Sequence, residues 1–162
     1  MSAYSMMFLL ALVLSRLALE AAAQPIGVPL SQGQPPVVRR YLTDEQWAEI
    51  EKMPEMDLSK RIDAADIDKL LADGKVLFLD VREPKEIEDL GTIPGSLAIP
   101  FLQLERRMTE VPKDKIILTA CETGTGRGPR AAALLQKHGY TVIGFCGLRD
   151  YKGRRIHPPA GQ

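Results

Sequence analysis

The chain has 162 residues, enough for one ordinary domain with extensions. Lys plus Arg and Asp plus Glu both number 21, so the formal net charge is zero with His neutral; this excludes nucleic-acid or membrane-surface binding driven by bulk charge and makes any anion selectivity local. The two cysteines are too few for a disulfide framework and lack zinc-finger or C-x-x-C spacing, so no metal site is expected.

Met6 to Leu19 is mostly apolar and runs into Ala21-Ala22-Ala23-Gln24, a small-residue site of the kind signal peptidase cuts. The apolar run is too short for a comfortable membrane span, so residues 1–23 are expected to be a cleaved export signal and the mature protein periplasmic or secreted. Membrane association is expected only if this segment stays uncleaved. Residues 24–60 read as a linker with one short helix. Gln24 to Arg40 is rich in Pro, Gly and Gln, which suits an extended chain. Thr43-Asp44-Glu45-Gln46 has the pattern of a capping box opening a helix through about Lys52, with Trp47 and Ile50 on one face and Pro54 as terminator. Trp47 is expected to pack on the domain surface, with docking of a partner as the alternative.

Arg61-Ile62 reads as a short first strand, followed by a helix from Ala64 to Ala72 capped by Asp63 and closed by Gly74, with Ile67, Leu70 and Leu71 as its buried stripe. Val76 to Val81 suits a strand covered on both faces. Glu83 to Asp89 is predicted as a short helix with Pro84 in its first turn, Leu97 to Ile99 as a strand and Phe101 to Met108 as a helix. On that last helix Leu102 and Leu104 are expected to point inward, and Glu105, Arg106 and Arg107 to stay solvated. Lys115 to Ala120 is the next strand, Gly128 to His138 a helix closed by Gly139, and Thr141 to Phe145 the last strand. Lys152 to Gln162 is predicted to be a flexible C-terminal tail. Alternating strands and helices imply an α/β fold with a parallel sheet covered on both sides and ligands at the carboxyl ends of its strands.

The stretch with the most chemistry runs from Ile116 to Leu135. An apolar run ends at Cys121, and Glu122-Thr123-Gly124-Thr125-Gly126 leads through Arg127 into an Ala/Leu-rich helix. Gly124 and Gly126 permit positive φ, so loop amides and the positive end of the helix are expected to form an anion cradle. The same field favours thiolate, the nucleophilic form of cysteine, which makes Cys121 the candidate nucleophile. Residues Glu122 to Gly126 with Arg127 and Arg130 are the expected binding residues for an anion. Glu122 is unexpected beside a thiolate, because a nearby carboxylate raises the thiol pKa unless its side chain points to solvent.

Leu77-Phe78-Leu79-Asp80-Val81-Arg82-Glu83-Pro84-Lys85-Glu86, the Ile93-Pro94-Gly95-Ser96 turn and the Cys121 loop occur in an order that closely resembles the rhodanese (sulfurtransferase) homology domain. Gly139-Tyr140-Thr141-Val142 and Gly147-Leu148 match that family's last strand and glycine turn, and the resemblance covers residues 61–151. It implies a rhodanese-like parallel five-stranded sheet with helices on both faces, Cys121 as the catalytic residue, and Asp80 and Arg82 as structural bracing. Arg127 stands six residues after Cys121, one more than in the common rhodanese loop. That spacing resembles the rhodanese-fold phosphatases and arsenate reductases, although Gly128 stands where those phosphatases carry Ser or Thr. Cys146 occupies the first position of the family's Gly-Gly turn. In the rhodanese topology the last strand lies beside the catalytic one, so Cys146 is either a small filler or a resolving thiol, if its Cα comes within about 7 Å of that of Cys121.

The resemblance implies a sulfurtransferase that moves a sulfane sulfur from thiosulfate or a similar small anion through a Cys121 persulfide to cyanide or a thiol, without any cofactor and without nucleic acid as a partner. Two alternatives stand beside it. One is phosphoryl or arsenate chemistry through the longer loop, with Glu83 or Glu86 as general acid. The other is a binding module that keeps the cradle and performs no reaction.

Overall fold

The computed structural model describes residues 41–158. The expected export signal, the Gln24–Arg40 linker and residues 159–162 lie outside the described residues. Four strands, β1 (Val76–Asp80), β2 (Leu97–Ala98), β3 (Ile116–Cys121) and β4 (Val142–Gly147), form one parallel sheet in the order β2-β1-β3-β4. The helices are α1 (Asp44–Glu51), α2 (Ile67–Leu71), α3 (Pro84–Leu90), α4 (Phe101–Leu104) and α5 (Arg127–Lys137).

The apolar runs of β1 and β3 take the centre of the sheet because both their faces are covered. Side chains alternate across a strand, and the core divides accordingly. Leu79, Ile117 and Cys121 pack on one face with Ala131, Leu134 and Leu135 of α5, and with Trp47 and Ile50 of α1. Phe78, Leu118, Ala120 and Cys146 pack on the other with Ile67 of α2, Leu148 and Tyr151. Thr43 caps α1 through a complete capping box with Gln46.

The sheet has four strands among the described residues, not five. Arg61 makes a single parallel bridge to Phe145, and the Ile62 amide donates to the Phe145 carbonyl at 2.8 Å. Asp63 then turns the chain at once by accepting from the Ala65 amide, so no length remains for a ladder. The turn it caps is 3₁₀ over Ala64–Asp66, and α2 proper begins only at Ile67. Leu102, expected to point inward, is 38% exposed, because α4 runs only one turn and buries Phe101 and Leu104. The start of the tail is anchored: Ile156 bridges Thr92, and Arg155 donates to the Leu90 and Leu148 carbonyls.

Candidate active site

Cys121 is the last residue of β3, on the carboxyl end of the sheet. Gly124 and Gly126 both have positive φ, 68° and 67°, and turn the loop directly into α5. The loop is fixed from below by backbone bonds from the Leu148 and Arg149 amides to the Cys121 and Glu122 carbonyls, at 2.9 and 2.8 Å. Arg61 Nη2 donates to the Thr123 carbonyl at 3.1 Å. Gly147 lies so close beneath the loop that a Cβ there would stand 2.7 Å from the Thr123 carbonyl carbon. Glycine is therefore required at 147 for close approach of two backbones, the physical content of the glycine turn.

The Cys121 thiol donates to the Thr125 carbonyl at 3.0 Å, and Thr123 and Thr125 join their hydroxyls at 2.7 Å. A Cβ on Gly128 would meet Sγ at 3.3 Å, so the sulfur lies against the first turn of α5, where amides lack intrahelical acceptors. The residue as a whole is 1% exposed.

Two buried ion-pair systems brace this arrangement. Arg82 donates through Nε and Nη2 to Asp80 at 2.7–3.2 Å, through Nη2 to the Gly91 carbonyl at 2.7 Å, and through Nη1 to Glu122 at 3.0 Å. Thr92 completes the Asp80 shell with a hydroxyl donor at 2.7 Å. Burial works against the Arg82 charge, yet Asp80, Glu86 and Glu122 outweigh it and hold its pKa above the ordinary range. Glu122 does not point to solvent: it is buried and held by Arg82. It follows the last residue of β3, and its carboxylate neutralises Arg82.

Arg127 is fully buried and its two terminal nitrogens donate to the two oxygens of Glu86 at 2.8 and 2.9 Å. Burial lowers its pKa, but the Glu86 bonds and charge, then Cys121 and Glu83, raise it beyond that loss. Glu86 is thus taken up by Arg127, which removes it as a general acid. Glu83 stays partly exposed; desolvation raises its pKa, Arg127 opposes that, and Glu86 adds to it.

Arg130, expected to hold an anion, is engaged elsewhere. Its Nε donates to the Met53 carbonyl at 3.0 Å, Nη1 to Glu55 at 2.8 Å and the Gly126 carbonyl at 3.2 Å, and Nη2 to the Glu51 carbonyl at 3.4 Å. The last turn of α1 carries no basic residue, and Arg130 supplies the missing cation from α5. The Met56 amide adds a bond to the Pro129 carbonyl. Trp47, expected to pack on the domain, does so: it is 8% exposed, with its ring 5.3 Å from the Arg127 guanidinium. The amphipathic spacing of Trp47 and Ile50 signals burial but cannot say against what.

Cys146 pairs in register with Ala120, one position before Cys121, so its side chain points to the opposite face of the sheet. It packs among Phe78, Leu118 and Leu148, and burial, with smaller effects of Cys121 and Asp80, pushes its thiol pKa far up. Neighbouring strands therefore do not make it a resolving thiol: the pleat separates the two sulfurs, and both cysteines are free.

The family model described as "Rhodanese-like domain" matches residues 63–152. The chain belongs to the rhodanese-like domain family. This rhodanese-like chain is 39% identical over 80 residues to "Sulfurtransferase" of Allochromatium vinosum, covering 49% of this chain and 73% of that protein. It is 36% identical over 98 residues to human "Thiosulfate:glutathione sulfurtransferase", covering 52% of this chain and 79% of that protein. The crystal structure of a rhodanese-related protein from Thermoplasma volcanium superposes with a TM-score of 0.54 at 24% identity, over 60% of this chain and 98% of the other, which is a likeness of fold. Together the family and the two sulfurtransferase relatives support a sulfurtransferase-family role for this rhodanese-like protein. Trp47 and the rest of α1 lie outside the matched residues.

Proposed function

We propose that the protein is a thiosulfate-type sulfurtransferase that works through a persulfide on Cys121. The thiolate attacks the outer sulfur of a sulfane donor such as thiosulfate; the bond between the two donor sulfurs breaks, sulfite leaves with the electron pair, and Cys121 carries one extra sulfur. Cyanide or a thiol then attacks that outer sulfur and regenerates the thiolate. Arg127 and the amides of Glu122 to Gly126 are the donor-binding groups in this reading, and Asp80 and Arg82 hold the loop ends.

The observation that carries it is the placement of Cys121 Sγ against Gly128, 3.3 Å from where a Cβ would sit. A bare glycine beside the sulfur leaves room for a second sulfur, whereas Ser or Thr, found there in the fold's phosphatases, would press on it. The burial of Cys121 favours small donors and acceptors over folded ones. The export signal read in residues 1–23 belongs to the same proposal and puts the reaction in the periplasm or outside the cell.

Intact mass spectrometry after incubation with thiosulfate tests all of this at once. The expected result is a chain starting near Gln24 with one added sulfur atom, and none added in Cys121→Ala. Sulfur retained by the Cys121→Ala variant would refute the persulfide, and an unprocessed N-terminus would refute export.

A further inference from the structure

The charges around Cys121 are already spent. Five buried ionisable side chains surround the loop: Asp80, Glu86 and Glu122 against Arg82 and Arg127. Every terminal guanidinium nitrogen of the two arginines donates to a carboxylate or a carbonyl within 3.0 Å. The Arg127 charge is paired with Glu86 at both terminal nitrogens, so the guanidinium is not an uncompensated cation beside the sulfur. Among the described residues two buried side-chain N–H donors have no acceptor at all, Trp47 Nε1 and Arg127 Nε. Buried donors without partners are rare because each loses its bonds to water and gains none in return. Here both belong to one stacked pair, with the Arg127 carbon 5.3 Å from the centre of the indole ring. The pair sits where the loop enters α5: a Cβ on Gly126 would touch the ring at 3.6 Å, and Arg127 follows directly.

We propose that Trp47 is a specificity-determining residue of the Cys121 site, and that its indole N–H and the Arg127 Nε–H together receive the oxygens of a small oxyanion headgroup delivered beside the sulfur. The inference rests on Cys121 being the reactive group. Trp47 comes from α1, outside residues 63–152, so the shared domain alone does not supply this half of the subsite. The position of Trp47 is held by the capping box of α1 and by Arg130, which ties the end of α1 to the Gly126 carbonyl.

Alkylation of Cys121 by anionic iodoacetate and by neutral iodoacetamide, read by peptide mass, gives a rate ratio that reports anion preference without requiring sulfur transfer. Trp47→Phe keeps a ring over Arg127 and removes only the N–H. A hydrogen bond to a charged group is worth roughly ten-fold or more in affinity, so the ratio is expected to fall about ten-fold in Trp47→Phe while the iodoacetamide rate holds. An unchanged ratio, or an equal rise in both rates, overturns the proposal, because Trp47 would then be only a cover. The wild type gives a second reading that needs no variant: Trp47 is the only tryptophan, and sulfate at constant ionic strength is expected to change its emission saturably. No change with sulfate overturns the proposal too. If thiosulfate leaves no sulfur on the wild type while the alkylation ratio behaves as expected, the sulfurtransferase reading fails and the oxyanion subsite stands.

Discussion

Removing the Glu86 carboxylate isolates the energetics of the loop. In Glu86→Ala both terminal nitrogens of Arg127 lose their acceptors, at 2.8 and 2.9 Å, and a fully buried positive charge loses its partner. Breaking a buried pair from one side costs about 3–5 kcal/mol, because the remaining charge stays out of water without compensation. Total stability of a small domain is about 5–15 kcal/mol, so this single change removes a large share of it. At about 4 °C per kcal/mol for a domain of this size, Tm falls by about 12–20 °C. Urea unfolding followed by Trp47 emission is a suitable assay, because the ring stacks on Arg127 itself. The control is the double variant Glu86→Met with Arg127→Met, which removes both charges and refills the volume. Replacing a whole buried pair by apolar side chains is neutral to stabilising by about 1–4 kcal/mol in known cases, so the double variant should recover most of the loss. A Glu86→Ala loss below about 1 kcal/mol, or a double variant no better than the single one, refutes the reasoning, since Arg127 would then have water or another acceptor within reach.

Arg130→Ala removes three bonds to the segment around α1 and one to the Gly126 carbonyl, and is expected to shift Trp47 emission to the red and to speed amide exchange over residues 44–56 while the sheet stays protected; an unchanged spectrum would show that α1 docks without it. Glu83 titrates above its ordinary 4.5, chiefly through desolvation, so the folded state keeps a proton that the unfolded state has released, and this group's contribution falls as pH rises through that interval. Glu83→Gln should therefore match wild type in urea midpoint near about pH 4 and exceed it near about pH 7, and equal midpoints at both pH values would contradict the sign. Mild peroxide should produce no Cys121–Cys146 disulfide in the native protein, read as intact mass without reduction; a loss of two hydrogens in the folded state would overturn the assignment of the two thiols to opposite faces.

The parts of the fold that are legible in the sequence are those set by local patterns. The apolar runs of β1 and β3, the Thr43 capping box and the glycines that close α2 and α5 depend on a few neighbouring residues, and the structure has them where the patterns place them. The length of an element is less legible, because it depends on the residues next along the chain: Asp63 ends the Arg61 segment after one bridge, and the single turn of α4 leaves Leu102 outside. Partners across the fold are not legible at all. Glu122 meets Arg82 across 40 residues and Arg130 meets Glu55 across 75, and no periodicity carries such a distance. One signal was within reach. Carrying the alternation of β3 one residue past its end puts Glu122 and Cys121 on opposite faces, whereas the pairing of Cys146 with Ala120 depends on a register shift between Ile117 and Leu118 that no local pattern announces.

This alternation also separates Cys121 from the Asp80 carboxylate, whose strand position pairs with Ala120. Asp80 and Glu122 hold Arg82 beyond the Cys121 face, and Glu86 holds Arg127 in a flat, two-point grip. The arginines thereby act as rigid struts whose charge is paired at close range and which fix the loop, while the Arg127 Nε–H stays without a partner. The first turn of α5 lies against the sulfur, and on the proposal above the unpartnered N–H groups of Trp47 and Arg127 add their dipoles to it. Dipoles held in place act over a few ångströms and cost no reorganisation when charge develops. On that proposal, selectivity for a small anion in a chain with zero formal net charge comes from geometry at one loop, with α1 supplying a part that lies outside residues 63–152.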